Sequence, residues 1–257
     1  MGFRVNWRVV AASAVGTSHV GNGTPCEDSC WAQADITNGK QAILSIFVAD
    51  GAGSAEFGGD GAEIAMQTAA DFIAGKIIEG EFGINDELAV QCILAIRQSI
   101  ELRAIAEGKR SRDFACTLLG VVSLPHATLT MQIGDGGIVF QAADELELAI
   151  VPMTGEYANM THFVTDENAV EVLCTRVINE PLSKVAVFSD GIQRLALNMV
   201  SNTPHIPFFS PFFKTLENTR SEQEDELHAA LSKFLNSDAV NCRTDDDKTL
   251  ALAVFIE

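Results

Sequence analysis

Three aspartates stand where a strongly apolar run meets a glycine: Asp50 in IFVADG, Asp135 in TMQIGDG and Asp190 in VAVFSDG. A short apolar run reads as a buried strand, and the glycine lets the backbone turn sharply behind it. Each run therefore delivers a carboxylate to a strand end. Two acidic clusters flank the series, Glu27-Asp28 and Asp245-Asp246-Asp247. A single Asp-Gly pair is a turn signal, and Asp60-Gly61, with no strand before it, reads as a helix start. Three pairs in one strand-to-loop setting, beside two further clusters, point instead to a shared site. Like charges gathered that way repel unless a cation lies between them. The candidate ligands are all carboxylates, with no paired histidine or thiolate, and hard oxygen donors select Mg²⁺, Mn²⁺ or Ca²⁺. An EF-hand would need its acidic ligands within one loop, and here they are dispersed. That favours a catalytic site for two or more hard ions, which can hold a hydroxide between them and clamp a phosphate group.

The elements that must carry these residues are mostly strands. Apolar runs predict strands over 5–15, 29–36, 42–49, 114–123, 127–133, 137–142, 170–178, 184–189 and 249–256, with shorter ones near 146–151 and 161–164. Asn38-Gly39 and Pro125-His126 read as turns, and residues 16–28 as a Gly/Pro/Asn-rich loop carrying His19 and Glu27-Asp28. Helical spacing begins at Gly61 and again at Asp86, the latter running to about Glu107 with Asn85 as its N-cap. A further helix is expected from Gly191 to about Val200, and a charged amphipathic one over 221–236. In the latter, Glu222, Glu224, Asp225 and Glu226 form an exposed first turn favoured by the helix dipole. The Pro- and Phe-rich stretch 201–220 reads as a short helix or a packed insert, with Phe208, Phe209, Phe212 and Phe213 in the core rather than in a partner groove. Strands, two helices, more strands and late helices imply an α+β fold of sheets covered by helices, as one domain over residues 1–257.

Composition narrows the function. Seventeen basic against 35 acidic side chains give a formal charge of −18. Nucleic-acid binding needs a basic stripe, and none is visible; an anionic membrane surface is disfavoured for the same reason. No apolar run is long enough to span a bilayer. The stretch VVAASAV after Arg8 reads as a strand rather than a signal peptide, and MGFRVN lacks the Ser/Thr of a myristoylation signal. The six cysteines form no CxxC pair and several lie in apolar stretches, so a reduced, cytoplasmic protein without zinc is expected.

In order along the chain stand CEDS (26–29), VADGAGS (48–54), ACTLL (115–119) leading to IGDG (133–136), FSDG (188–191) and DDKTL (246–250). This series resembles the metal-dependent protein phosphatases of the PPM, or type 2C, family over nearly the whole chain. GTSH (16–19) and GEYANMT (155–161) resemble its bacterial branch. The resemblance implies a four-layer α-β-β-α sandwich, two antiparallel sheets flanked by helix pairs, with the metal site in the cleft at one end. It implies a phosphoserine/phosphothreonine phosphatase in which a metal-bridging hydroxide attacks phosphorus in line, without a phosphoenzyme. Carried over by motif, Asp50 would bridge two Mn²⁺ or Mg²⁺ ions and the Gly51 carbonyl would bind the second. Asp190 and Asp246 would complete the first ion's shell, and Glu27 and Asp28 would support the second ion, partly through water. Asp135 with Asp190 would match a third-metal position. Asp245 and Asp247 read as solvated neighbours of Asp246, with a register shifted by one residue as the alternative. The implied partners are a phosphorylated protein substrate and a cognate Ser/Thr kinase, and the chain is expected to act as a monomer.

Two departures from the family pattern stand out. Gly23 lies near the place of the family's phosphate-binding arginine, and no arginine occurs between Arg8 and Arg97. Ala52 replaces the histidine that follows the Asp-Gly pair in eukaryotic members, as in many bacterial ones. His19, in the loop that carries Glu27-Asp28, is the candidate replacement: an imidazolium could bind phosphate or protonate the leaving oxygen. Weaker phosphate positioning leaves two alternatives open, a pseudophosphatase that binds phosphoprotein without turnover and a two-metal phosphatase for a small phosphorylated metabolite.

Overall fold

The computed structural model describes residues 6–80, 83–151, 161–219 and 223–256. Ten strands build two five-stranded sheets in which all pairings are antiparallel. In chain order they are β1 (Trp7–Ala14), β2 (Asp28–Ile36), β3 (Ala42–Asp50), β4 (Leu118–Leu124), β5 (Ala127–Ile133), β6 (Gly137–Gln141), β7 (Leu146–Leu148), β8 (Cys174–Ile178) and β9 (Lys184–Phe188). A two-stranded ribbon, β10 (Leu197–Asn198) with β11 (Thr203–Pro204), precedes the last strand, β12 (Lys248–Phe255). The first sheet runs β1-β12-β9-β6-β7 and the second β2-β3-β4-β5-β8.

The central strands look continuously apolar because both of their faces are covered. Along β3, Leu44, Ile46 and Val48 point into the layer between the sheets. There they meet Leu119, Val121, Ile138, Val185, Val187 and Ala251. The alternate residues Ile43, Phe47 and Ala49 point outward to two long helices, α2 (Gly58–Glu79) and α3 (Asp86–Glu107). On the other side Phe188, Leu250, Leu252 and Val254 face α6 (Ile206–Asn218) and α7 (Glu224–Leu235). The result is the expected four-layer sandwich, helix–sheet–sheet–helix. The Asn85 side chain caps α3 by accepting from the Leu88 N–H at 3.0 Å. Phe209 and Phe213 of α6 are buried, with Phe208 and Phe212 packed against them, so the phenylalanines are core as expected. Among the described residues, no helix is long and apolar enough to cross a membrane.

Several elements depart from the sequence expectation. Residues 16–28 contain a short helix, α1 (Thr17–Asn22), closed by Gly23 in the left-handed region. The run at 170–178 divides into one helical turn, α4 (Ala169–Val172), and β8. The strand expected from residue 114 starts at Leu118, after a 3-10 turn over Ser111–Phe114. Residues 161–164 form no strand, because Arg97 on α3 donates to the Val164 and Asp166 carbonyls and holds that stretch as a loop. The helix expected from Gly191 stops after one turn, α5 (Gln193–Ala196), because the His205 N–H takes the Ala196 carbonyl and β10 pairs with β11. A last turn, α8 (Asp238–Asn241), precedes β12.

Candidate active site

Antiparallel pairing explains how carboxylates far apart in sequence reach one end of the sandwich. Asp50 ends β3 and lies opposite Asp28, the first residue of β2. Asp190 follows β9, and β12, which pairs with β9, begins just after Asp246 and Asp247. Asp135 lies where the chain crosses from β5 in one sheet to β6 in the other. Two glycines are required by this geometry. A Cβ on Gly191 would lie 1.8 Å from the Asp247 carbonyl oxygen, and Gly136 has φ +108° with its Cβ position 2.5 Å from the Phe188 carbonyl oxygen.

His19, Glu27, Asp50, Gly51, Asp135, Asp190 and Asp246 all line one cavity of about 230 Å³, together with Asp247, Thr117 and Thr161. Asp28 lies behind it, buried, its Oδ2 accepting from the Ser189 hydroxyl at 2.6 Å. The expected set is thus brought to one place. Among the described residues lining the cavity, no lysine or arginine balances these charges, and the basic side chain there is His19. Burial is the main reason that the carboxyls of Asp28, Asp50 and Asp190 are all pushed above the usual carboxylate range. Repulsion from neighbouring aspartates adds to it: Asp28, Asp190 and Asp246 act on Asp50, and Asp135 and Asp246 act on Asp190. Glu27 is raised by burial as well, with His19 opposing. The Asp28 Oδ1 and Asp190 Oδ1 atoms are buried without a hydrogen-bond partner.

Buried carboxylate oxygens without donors are costly, and the donor set is all oxygen, which suits hard divalent cations. Among the described residues, no three such side chains are already drawn around a single point as a finished metal shell. Mutual repulsion explains why a set of carboxylates lines the cavity wall rather than collapsing to its centre. The residues present therefore fit divalent cations in chemistry and in burial.

Sequence reasoning missed three contributors. Asp247 is not a solvated neighbour of Asp246: it is 3% exposed and accepts three hydrogen bonds. Its carboxylate turns inward to the Gly16 and Glu27 N–H groups and to His19, a fact that a run of three identical residues hides. Thr117 accepts from the Asp50 N–H at 3.0 Å, while its own N–H donates to the Asp50 carbonyl at 2.8 Å, so β4's approach fixes the end of β3. Thr161 donates to Asp135 Oδ2 at 3.1 Å. The ACTLL and GEYANMT motifs contained both threonines, but only the fold shows what they touch. Residues 155–160 of the latter motif lie outside the described residues.

Comparison with known proteins places this geometry. A family model described as protein phosphatase 2C matches residues 15–236, a span that includes Glu27, Asp28, Asp50, Asp135 and Asp190 and ends before Asp246. Serine/threonine-protein phosphatase 3 of Escherichia coli (strain K12) is 53% identical over 253 residues, covering 98% of this chain and 100% of that protein. Among solved structures, the catalytic domain of the serine threonine protein phosphatase PstP in complex with two manganese ions aligns with a TM-score of 0.61 at 15% identity, covering 98% of this chain and 99% of that one. Stp1 from Staphylococcus aureus aligns with a TM-score of 0.58 at 13% identity, covering 100% and 97%. At these identities the structural likeness shows the fold.

Proposed function

This chain belongs to the protein phosphatase 2C family, and from that premise we propose that it is a divalent-metal-dependent hydrolase of phosphoserine and phosphothreonine in proteins. The observation that carries the reading is the cavity of carboxylates at the sandwich end. It is walled by both sheets, holds no lysine or arginine among the described residues, and abuts two buried carboxyl oxygens without donors. Such a cavity is suited to cations, and through them to the dianionic phosphoryl group that the carboxylates alone would repel.

Asp50 and the Gly51 carbonyl would hold two Mn²⁺ or Mg²⁺ ions. Asp190 and Asp246 would serve the first, and Glu27 and Asp28 the second, partly through water. Asp135 with Asp190 would serve a third. When bound, such ions lower the pKa of water towards about 7 and offset phosphate charge. The chain's own residues do the rest. Thr117 fixes Asp50 at the end of β3, and Ser189 orients Asp28 from below. His19, the basic side chain on the cavity wall, would take over from the missing phosphate-holding arginine and bind the phosphoryl oxygens or protonate the leaving oxygen. We further propose that residues 1–257 act as one domain, as a cytoplasmic monomer opposing a cognate Ser/Thr kinase.

The test is Mn²⁺-dependent phosphate release from a phosphothreonine peptide, set against a small phosphorylated metabolite. Peptide turnover that is lost in Asp50→Asn supports the reading. A wild-type protein inert across metals and substrates refutes it, and faster turnover of the metabolite would reassign the substrate class.

A further inference from the structure

Asp247 stands beside Asp246, yet its side chain faces away from solvent and does different work. Its Oδ1 accepts from the Gly16 N–H at 2.5 Å. Its Oδ2 accepts from the Glu27 N–H at 2.6 Å and is paired with His19 Nδ1 at 3.0 Å. One 3%-exposed carboxylate thus gathers both ends of the segment from Gly16 to Glu27 and the imidazole between them. The segment's entry is held by the next residue as well: the buried Lys248 Nζ donates to the Val15 carbonyl at 2.9 Å and to Asn241 Oδ1 at 2.8 Å. The other neighbour is tied in through the main chain, where the Asp247 N–H donates to Asp246 Oδ1 at 2.9 Å.

We propose that Asp247 is a positioning residue for the metal centre: it holds Glu27 and His19 at the wall of the cavity that Asp50, Asp190 and Asp246 also line. The inference rests on the metal-dependent reading above. Its physical basis is that the segment bearing Glu27 has no strand of its own before β2. The Glu27 carbonyl accepts from the Gly51 N–H at 3.1 Å, which ties it to the end of β3, while its tie to the mouth of β12, in the other sheet, is the Asp247 carboxylate. An asparagine there keeps one acceptor oxygen but turns an N–H₂ group towards an N–H donor, so one of the two ends must be released. Groups that orient metal-binding residues typically change metal affinity by about 10–100-fold when removed.

The experiment measures Mn²⁺ binding to the full chain by titration calorimetry, independently of turnover, in wild type, Asp247→Asn, Glu27→Gln and the double variant. The expected result is Mn²⁺ affinity about tenfold weaker in Asp247→Asn, with far-UV circular dichroism unchanged. In the Glu27→Gln background the same substitution should cost much less, because the residue it positions no longer offers a carboxylate. Unchanged affinity in Asp247→Asn, or an equal loss with and without Glu27, overturns the inference. Should Asp247→Asn not fold, Asp247→Glu decides: it keeps the charge but displaces the carboxylate oxygens from the Glu27 N–H, so Mn²⁺ affinity should again fall about tenfold, and unchanged binding refutes the proposal. Asp50→Asn is the separate control, since retention of full Mn²⁺ affinity there would sink the metal reading itself.

Discussion

The outer face and the acidic end of the sheet formed by β1, β12, β9, β6 and β7 obey opposite rules. On its outer face Phe188 packs 6.0 Å from Phe209, which stacks on Phe213 at 6.0 Å and meets Phe208 edge-on at 5.1 Å. Every group there improves its neighbours' environment, as offset and edge-to-face aromatic contacts do. Two residues beyond Phe188, Asp190 has a buried oxygen with no donor and a carboxyl raised by burial and by repulsion from Asp135 and Asp246. One strand thus joins a region selected for self-consistency to one that is inconsistent until something else binds. The difference teaches that the aromatic flank supplies stability which the acidic end spends.

The largest effect should separate the two regions in opposite directions. Asp50→Asn is expected to lower phosphatase turnover by about 1000-fold or more, the scale of losing a key electrostatic group. The metal-free protein should nevertheless become more stable by about 1–2 kcal/mol, because a buried carboxyl crowded by Asp28, Asp190 and Asp246 is neutralised. Thermal denaturation with chelator present reads this directly, and a lower midpoint for Asp50→Asn would contradict the account of the acidic end. Phe209→Ala should do the reverse. It removes a fully buried ring and should destabilise by about 3–5 kcal/mol, while the protein that remains folded keeps its Mn²⁺ affinity. A weakened affinity would mean that the flank and the site are coupled through β9.

A smaller effect should appear in the pH dependence of the metal-free protein. The carboxyls of Asp28, Asp50 and Asp190 are raised in the folded state, so the unfolded chain gives up its protons first as pH increases. Below the ordinary carboxylate range near about 4 the groups are protonated in both states and carry no penalty. Above it stability falls, and the loss is complete once pH passes the raised values. Denaturant titrations should therefore give a lower stability at pH 8 than at pH 5.5, with a shallower slope in Asp190→Asn. Mn²⁺ at a hundredfold excess over its dissociation constant should restore about 2.7 kcal/mol at pH 8. Equal slopes in wild type and Asp190→Asn would show that these carboxyls are not the source.

Most of the sandwich was legible because its central strands are buried on two faces and α3 carries its own cap at Asn85. Asp50, Asp135 and Asp190 were legible for a related reason: each follows an apolar run that reads as a strand. What the sequence hid lies in short segments whose shape is set from elsewhere. The Arg97 guanidinium on α3 decides that residues 161–166 form a loop rather than a strand. The fate of Leu197 depends on pairing with Pro204. Asp246 and Asp247 have the same chemistry, and their different roles follow from which way each points at the mouth of β12, a distinction that identity and spacing alone do not encode.

Thr161→Val tests the periphery of the acidic end, where the smallest change is expected. Thr161 donates to Asp135 Oδ2 from a loop that Arg97 holds against α3, and the Val164 N–H donates to the Cys116 carbonyl beside Thr117. Losing that one donor to a charged acceptor should cost about 1.5–3 kcal/mol at most in the placement of Asp135. Because Asp50 is fixed independently by Thr117, turnover should fall by no more than about tenfold, a difference worth about 1.4 kcal/mol, and Mn²⁺ affinity at the Asp50 site should be unchanged. A loss approaching that of Asp50→Asn would mean that Asp135 belongs with the central aspartates, and that the crossover between β5 and β6 is as much a part of the reacting centre as the ends of β3 and β9.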